Sequence, residues 1–90
     1  NQKARDSRRQ ADIQAIQSAL EVYRSQNDQY PDSIEDSVLG SYFTDGRVPT
    51  PPDGGVYPYE SPYDSSIYRY QLGYALETAG ATGIKYVYNP

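Results

Sequence analysis

The sequence predicts an α+β fold: one long N-terminal helix packed on a small antiparallel sheet of three or four strands, within a single domain of residues 1–90. Three observations point there. Residues 2–26 contain neither glycine nor proline and are rich in helix formers. Residues 44–55 are crowded with turn residues that neither a helix nor a central strand tolerates. Residues 56–90 alternate tyrosine or aliphatic side chains with small or polar ones, which is the period of a strand.

Within the helix, Ile13, Ile16, Leu20 and Tyr23 recur at spacings of three and four, with Ala15 and Ala19 nearby. They form a narrow apolar stripe that faces the sheet. Asp12, Gln14, Gln17, Ser18 and Glu21 lie on the opposite side and are expected to face water. Before Ile13 only Ala4 and Ala11 are apolar, so the first three turns are expected to be solvated or to rest on something outside this chain. At ~1.5 Å per residue the helix is about 37 Å long. Its basic start is expected to project beyond the globular part.

Asn27-Asp28-Gln29-Tyr30-Pro31 ends the helix, because Pro31 cannot continue it and biases Tyr30 to extended geometry. Residues 27–55 form a connecting segment. In it Ser33-Ile34-Glu35-Asp36 reads as the capped start of a short second helix, with Ile34, Val38 and Leu39 buried and Gly40 as its stop. Asp45-Gly46, Pro49, Pro51-Pro52 and Asp53-Gly54-Gly55 then make an ordered or semi-rigid loop.

In the sheet region, Tyr57 and Tyr59 alternate in a first strand. From Ile67 to Glu77, Tyr68, Tyr70, Leu72, Tyr74 and Leu76 point one way; Ile67, Arg69, Gln71, Gly73, Ala75 and Glu77 point the other. Thr78 to Gly83 is a small-residue turn, and Ile84, Tyr86 and Tyr88 alternate again in a last strand. Three short strands are marginal alone. The core is therefore expected where Tyr70, Leu72, Tyr74 and Leu76 meet Ile13, Ile16, Leu20 and Tyr23.

Composition narrows the function. A chain this short buries only about 60% of its unfolded surface. Cysteine, histidine, methionine and tryptophan are all missing, so disulfides, thiolate or imidazole metal ligands and a histidine base are excluded. A net charge of −4 speaks against nucleic acid or an anionic membrane as partner. No apolar run approaches the roughly 20 residues that span a bilayer. The chain opens on Asn1, without an initiator methionine and inside a helical pattern, so it is expected to be a fragment with sequence missing upstream.

The run Lys3-Ala4-Arg5-Asp6-Ser7-Arg8-Arg9-Gln10-Ala11-Asp12-Ile13-Gln14-Ala15-Ile16-Gln17-Ser18-Ala19-Leu20-Glu21-Val22-Tyr23 resembles the lower helix of type IV pilins and type II secretion pseudopilins. That family closes the helix near an N-G-x-Y-P-like signature, here Asn27-Asp28-Gln29-Tyr30-Pro31. Pro52-Asp53-Gly54-Gly55 with Tyr57-Pro58-Tyr59 is similar to the loop entering the pilin sheet, and Tyr70-Gln71-Leu72 to Leu76-Glu77 is similar to strands of Gram-positive-type pilins. The resemblance covers nearly the whole chain and is most specific over Lys3–Pro31.

The resemblance implies a structural subunit of an extracellular pilus rather than an enzyme. Such a subunit is membrane-anchored before assembly by a hydrophobic helix half, processed by a prepilin peptidase and moved by an inner-membrane assembly platform. Its partners are itself and other pilins. Lys3, Arg5, Arg8 and Arg9 are then expected to pair with acidic residues of neighbouring subunits. The alternatives are a pseudopilin of a secretion piston and, in another class, a small carbohydrate- or peptide-binding module.

Pseudopilins of the major type bind calcium in a C-terminal loop, but Thr78-Ala79-Gly80-Ala81-Thr82-Gly83 carries no aspartate. No cofactor is expected; the calcium candidates are Asp53 and Asp64, and turn formation explains scattered aspartates equally. Glu60 with Asp64, or Glu35 with Asp36, are the only carboxylate pairs to weigh for hydrolysis, and solvated loops account for both. A serine nucleophile would need Lys3 or Lys85 as base, both on solvated surfaces, so no catalytic residue is assigned. Tyr57, Tyr59 and Tyr63, outside the clean strand, are the tyrosines expected to be exposed for stacking on sugars or bases. Beyond Arg24, only Arg47, Arg69 and Lys85 could add cations to them, too few for a DNA-binding stripe.

Overall fold

The computed structural model describes residues 1–78 and 83–90. Helix α1 runs from Gln2 to Asn27. Asn1 caps it by accepting the Ala4 amide at 3.0 Å, and Asp28 closes it in the left-handed conformation (φ 63°), its amide donating to the Arg24 carbonyl at 2.8 Å. At ~1.5 Å per residue α1 is about 39 Å long. The molecule measures 39 × 31 × 20 Å, so the length of α1 matches its longest dimension. Its start does not stand clear of the globular part, because residues 77–78 pack against it.

The second helix is shorter than expected and capped differently. α2 spans Asp36–Leu39 and continues into a 3-10 turn over Gly40–Tyr42. Ser33 does not cap it; Glu35 precedes it with no side-chain cap bond. Asp36 turns away to accept the Val48 amide at 2.8 Å, which ties the following loop back to the helix. Gly40 follows the last residue of α2, as expected, but with a right-handed backbone (φ −59°) that by itself needs no glycine. It is required by close approach, since a Cβ there would run into the Gly46 carbonyl oxygen.

The sheet is a three-stranded antiparallel meander in the order β1-β2-β3, with β1 Tyr59–Glu60, β2 Gln71–Ala75 and β3 Ile84–Tyr88. The expected strand from Ile67 to Glu77 pairs only over the five residues Gln71–Ala75. Upstream of it the backbone is committed elsewhere. Asp64 and Ser65 make a left-handed turn (φ 53° and 63°), Tyr63 and Ser66 exchange backbone bonds, and the Ile67 carbonyl accepts the Tyr30 amide at 3.2 Å. Tyr68 is consequently exposed rather than inward-facing.

The register pairs Leu72 with Tyr59 and with Val87, so these three share the helix side of the sheet. Gly73 pairs with Tyr86 and Ala75 with Ile84 on the other side. This decides which face of the last strand is buried. Ile84, Tyr86 and Tyr88 face away from the helix, 46%, 44% and 44% exposed, and Val87 turns to the core. A shift of one residue in register exchanges the two faces, and the alternation in β3 alone does not say which face is buried.

The core contains Ile13, Ile16, Ala19, Leu20, Tyr30, Leu39, Val48, Tyr57, Tyr70 and Leu72. Tyr23 and Tyr74 are half-buried against it. Leu76 is half-buried and lies outside that cluster, because β2 ends at Ala75 and the chain turns towards the start of α1.

Candidate functional site

The most elaborate cluster of functional side chains joins the second and third turns of α1 to the segment leaving β2. Asp6 is 6% exposed and Arg9 4% exposed, both among the most buried residues of the chain. Asp6 accepts the amides of Glu77 and Thr78, each at 2.9 Å, the Thr78 hydroxyl at 2.7 Å and Arg9 Nη1 at 3.0 Å. Glu77 takes Arg5 Nε and Nη2 at 2.6 and 2.7 Å, a fork geometry, and Arg9 Nη1 at 2.7 Å. Asp53 stands 3.6 Å from Arg9 Nη2. Arg8 reaches the Thr50 carbonyl at 3.1 Å and lies 3.8 Å from Asp12.

Charges leave water at such a site only when paired and hydrogen-bonded. Burial alone would raise the Asp6 pKa; the Thr78 and Glu77 amides, the Thr78 hydroxyl and Arg9 overcome that and hold it well below the usual carboxylate range. Hydrogen bonds from Arg5 and Arg9 hold Glu77 down to about 2. Both carboxyls therefore stay ionised at neutral pH and have no proton to exchange there. The arrangement fastens the start of α1 to the segment after β2.

The basic start, expected to project beyond the globular part, is tied to its own chain. Arg5, Arg8 and Arg9 are engaged within the chain, because the segment after β2 and the loop at 50–53 bring oxygens to them. Lys3 is exposed. The polar side of α1 is corrected too. Tyr57 donates to Asp12 at 2.7 Å, Tyr30 to Glu21 at 2.7 Å and Tyr42 to Gln26 at 2.7 Å, while Gln17 donates to the Tyr70 hydroxyl at 2.9 Å. On a 3.6-residue helix Asp12 and Gln26 fall on one flank of the apolar stripe, and Gln17 and Glu21 on the other. Tyrosine rings fill the core while their hydroxyls reach its polar margins. Gln14 and Ser18 remain exposed.

Comparison with known proteins gives no relative: no family model, no curated protein and no solved structure matches the chain.

The remaining expected sites are placed as follows. Asp53 and Asp64 are exposed and each faces a guanidinium, Asp64 meeting Arg69 Nη1 at 2.7 Å. Among the described residues no group of three or more acidic side chains is arranged to hold a metal ion. The turn Thr78–Gly83 lies largely outside the described residues. Glu60, Glu35, Lys3 and Lys85 are exposed, and Asp36 is held by the Val48 amide. The tyrosines expected to be exposed are not: Tyr57 is 3% exposed, Tyr59 is half-buried with its hydroxyl donating to the Pro31 carbonyl at 2.6 Å, and Tyr63 packs on Tyr88 with ring centres 5.5 Å apart. A proline-flanked chain can still turn its rings inward when the helix offers acceptors. Tyr68, Tyr86 and Tyr88 are the exposed ones. Arg24 lies over the Tyr30 and Tyr68 rings, 5.4 and 5.9 Å from their centres.

A mainly apolar concavity of about 440 Å³ runs between the connecting segment and β1. Ile34, Val48, Pro49, Val56 and Pro58 line it, with Asp32 and Glu35 at its rim. Ser33, Asp36, Thr50, Tyr57 and Tyr59 also border it, and none of its lining residues belongs to the Asp6–Glu77 cluster.

Proposed function

We propose that the chain is the globular part of a type IV pilin-like subunit, a structural component of an extracellular filament on the cell surface. In this reading a hydrophobic helix half continues α1 upstream, anchors the subunit in the inner membrane and, after prepilin peptidase acts, packs in the filament core among copies of itself and other pilins. The assembly platform of the inner membrane moves it there.

The observation that carries the proposal is the fastening of the polar start of α1 to the end of β2 through Asp6, Arg9, Glu77 and Thr78. A subunit held in a fibre by its helix must pass load from that helix to its head. A partly buried set of charge-assisted bonds couples the two in one fixed geometry. The length of α1, equal to the longest dimension of the molecule, supports the same reading. The lack of aspartate in residues 78–83 favours a pilus over a pseudopilin piston.

The coding sequence upstream of Asn1 tests the proposal. A prepilin cleavage site followed by about 20 apolar residues with an early glutamate is the expected result. A secretory signal, or another folded domain joined directly to Asn1, would overturn it.

A further inference from the structure

β3 lies at the edge of the sheet, and the hydrogen-bond pattern leaves that edge open. Gly73 donates its amide to the Pro58 carbonyl at 2.8 Å. In an antiparallel sheet this directs the backbone groups of Gln71, Gly73 and Ala75 towards β1, and those of Leu72 and Tyr74 towards β3. Since Leu72 pairs with Val87 and Tyr74 with Lys85, Val87 and Lys85 are the β3 residues bonded to β2. Ile84, Tyr86 and Tyr88 turn their amides and carbonyls outwards. Of these groups, the Tyr88 carbonyl meets the Gln17 side chain at 3.4 Å; the others have no partner among the described residues.

The opposite edge is closed by other means. β1 is two residues long, preceded by Pro58, which has no amide, and followed two residues later by Pro62. The open edge also borders an unusual face. Ile84, Tyr86 and Tyr88 are all exposed on the side away from α1, where an antiparallel sheet normally carries polar residues. Gly73 allows the Tyr86 ring to lie close on the sheet, as a Cβ there would sit 3.0 Å from the ring carbon Cε1.

We infer that two copies of this chain pair through β3, antiparallel, about a two-fold axis at Tyr86. The partner is a second copy because the open edge is self-complementary. With the axis at Tyr86, the outward amide and carbonyl of Tyr86 meet those of the partner's Tyr86, and the groups of Ile84 meet those of the partner's Tyr88. Lys85 falls opposite the partner's Val87, so the two ammonium groups do not oppose each other. Ile84, Tyr86 and Tyr88 of both copies then form one continuous apolar face on a six-stranded sheet. Head-to-tail pairing would need a second open edge, which β1 does not offer. This pairing stands apart from the filament proposal and involves no residue upstream of Asn1.

Sedimentation velocity over a concentration series up to about 1 mM, joined to amide hydrogen exchange, tests it. The expected result is a dimer whose formation slows exchange at Ile84 and Tyr86. Ile84→Pro removes an outward donor without touching the β2 ladder. Tyr86→Lys sets two like charges across the axis. Both are expected to keep the circular dichroism of the parent and to weaken the dimer at least about tenfold. A chain that stays monomeric throughout overturns the inference, as does a dimer that Ile84→Pro leaves intact. Should either variant fail to fold, the parent's exchange rates decide: a dimer in which Ile84 and Tyr86 still exchange freely pairs by some other surface.

Discussion

Asp6 accepts both the backbone amide and the hydroxyl of Thr78, at 2.9 and 2.7 Å, and so binds the second turn of α1 to a residue 72 positions away. The same carboxylate holds Arg9, which holds Glu77. Remove Asp6 and two backbone amides lose their acceptor while a buried guanidinium loses one of its carboxylate partners. Asp6→Ala is therefore expected to lower the melting temperature by more than about 5 °C. Thr78→Val, which spares the amide bond, should cost less. Thermal melts of the two variants and of the double variant test this, with non-additivity expected because the residues touch.

Acid should loosen the same junction. Glu77 is held down to about 2 by Arg5 and Arg9, below its ordinary value of 4.5, and Asp6 is shifted in the same direction by Thr78, Glu77 and Arg9 against the opposing effect of burial. A carboxyl depressed in the folded state stabilises the fold fully above its unfolded pKa. That contribution fades as pH falls from about 4.5 towards about 2. Melting temperature measured against pH should decline through that window, and Glu77→Gln should flatten part of the decline.

Alkali acts on the tyrosines. Burial, followed by the hydrogen bond to Asp12, raises the Tyr57 hydroxyl above its ordinary 10.0, and burial with Glu21 raises Tyr30 likewise. A raised pKa of this kind stabilises the fold fully below 10 and is lost as pH climbs through the folded value. Titration followed by tyrosinate absorbance should show some of the 11 tyrosines resisting ionisation until the fold gives way. Tyr57→Phe removes one bond to Asp12 and should cost about 0.5–1.5 kcal/mol at neutral pH.

Gly40 tests the connecting segment. Its helical backbone (φ −59°) suits any residue, so only the approach of the Gly46 carbonyl explains the glycine. Gly40→Ala should destabilise by about 1–3 kcal/mol, read from a denaturant midpoint. A neutral result would mean that the turn at Asp45-Gly46 yields without cost.

The fold class was legible because α1 and β2 each bury a face with the period of their secondary structure: Ile13, Ile16 and Leu20 on one, Tyr70 and Leu72 on the other. Chain entry and exit were harder. The Asp64-Ser65 turn and the bond from the Tyr30 amide to the Ile67 carbonyl shorten β2 from its start, although Tyr68 and Tyr70 keep the alternation going. In β3 the pattern names two faces without saying which is buried; pairing with Leu72 decides it for Val87. The Asp6–Glu77 junction was invisible for a similar reason. Asp6, Arg9 and Glu77 have the composition of a solvated surface, and only the return of the chain after β2 makes them a buried set. The tyrosine hydroxyls on Asp12, Gln17 and Glu21 had one signal, an excess of tyrosine beside a helix with polar residues on both flanks of its stripe.

Immunogold electron microscopy of intact cells, with antibody raised against this chain, puts the filament reading to its most direct trial. Gold aligned along thin surface fibres, and absent after deletion of the gene, is the expected result. Labelling confined to the cell interior, or fibres that persist unlabelled and unchanged in number after deletion, would contradict it.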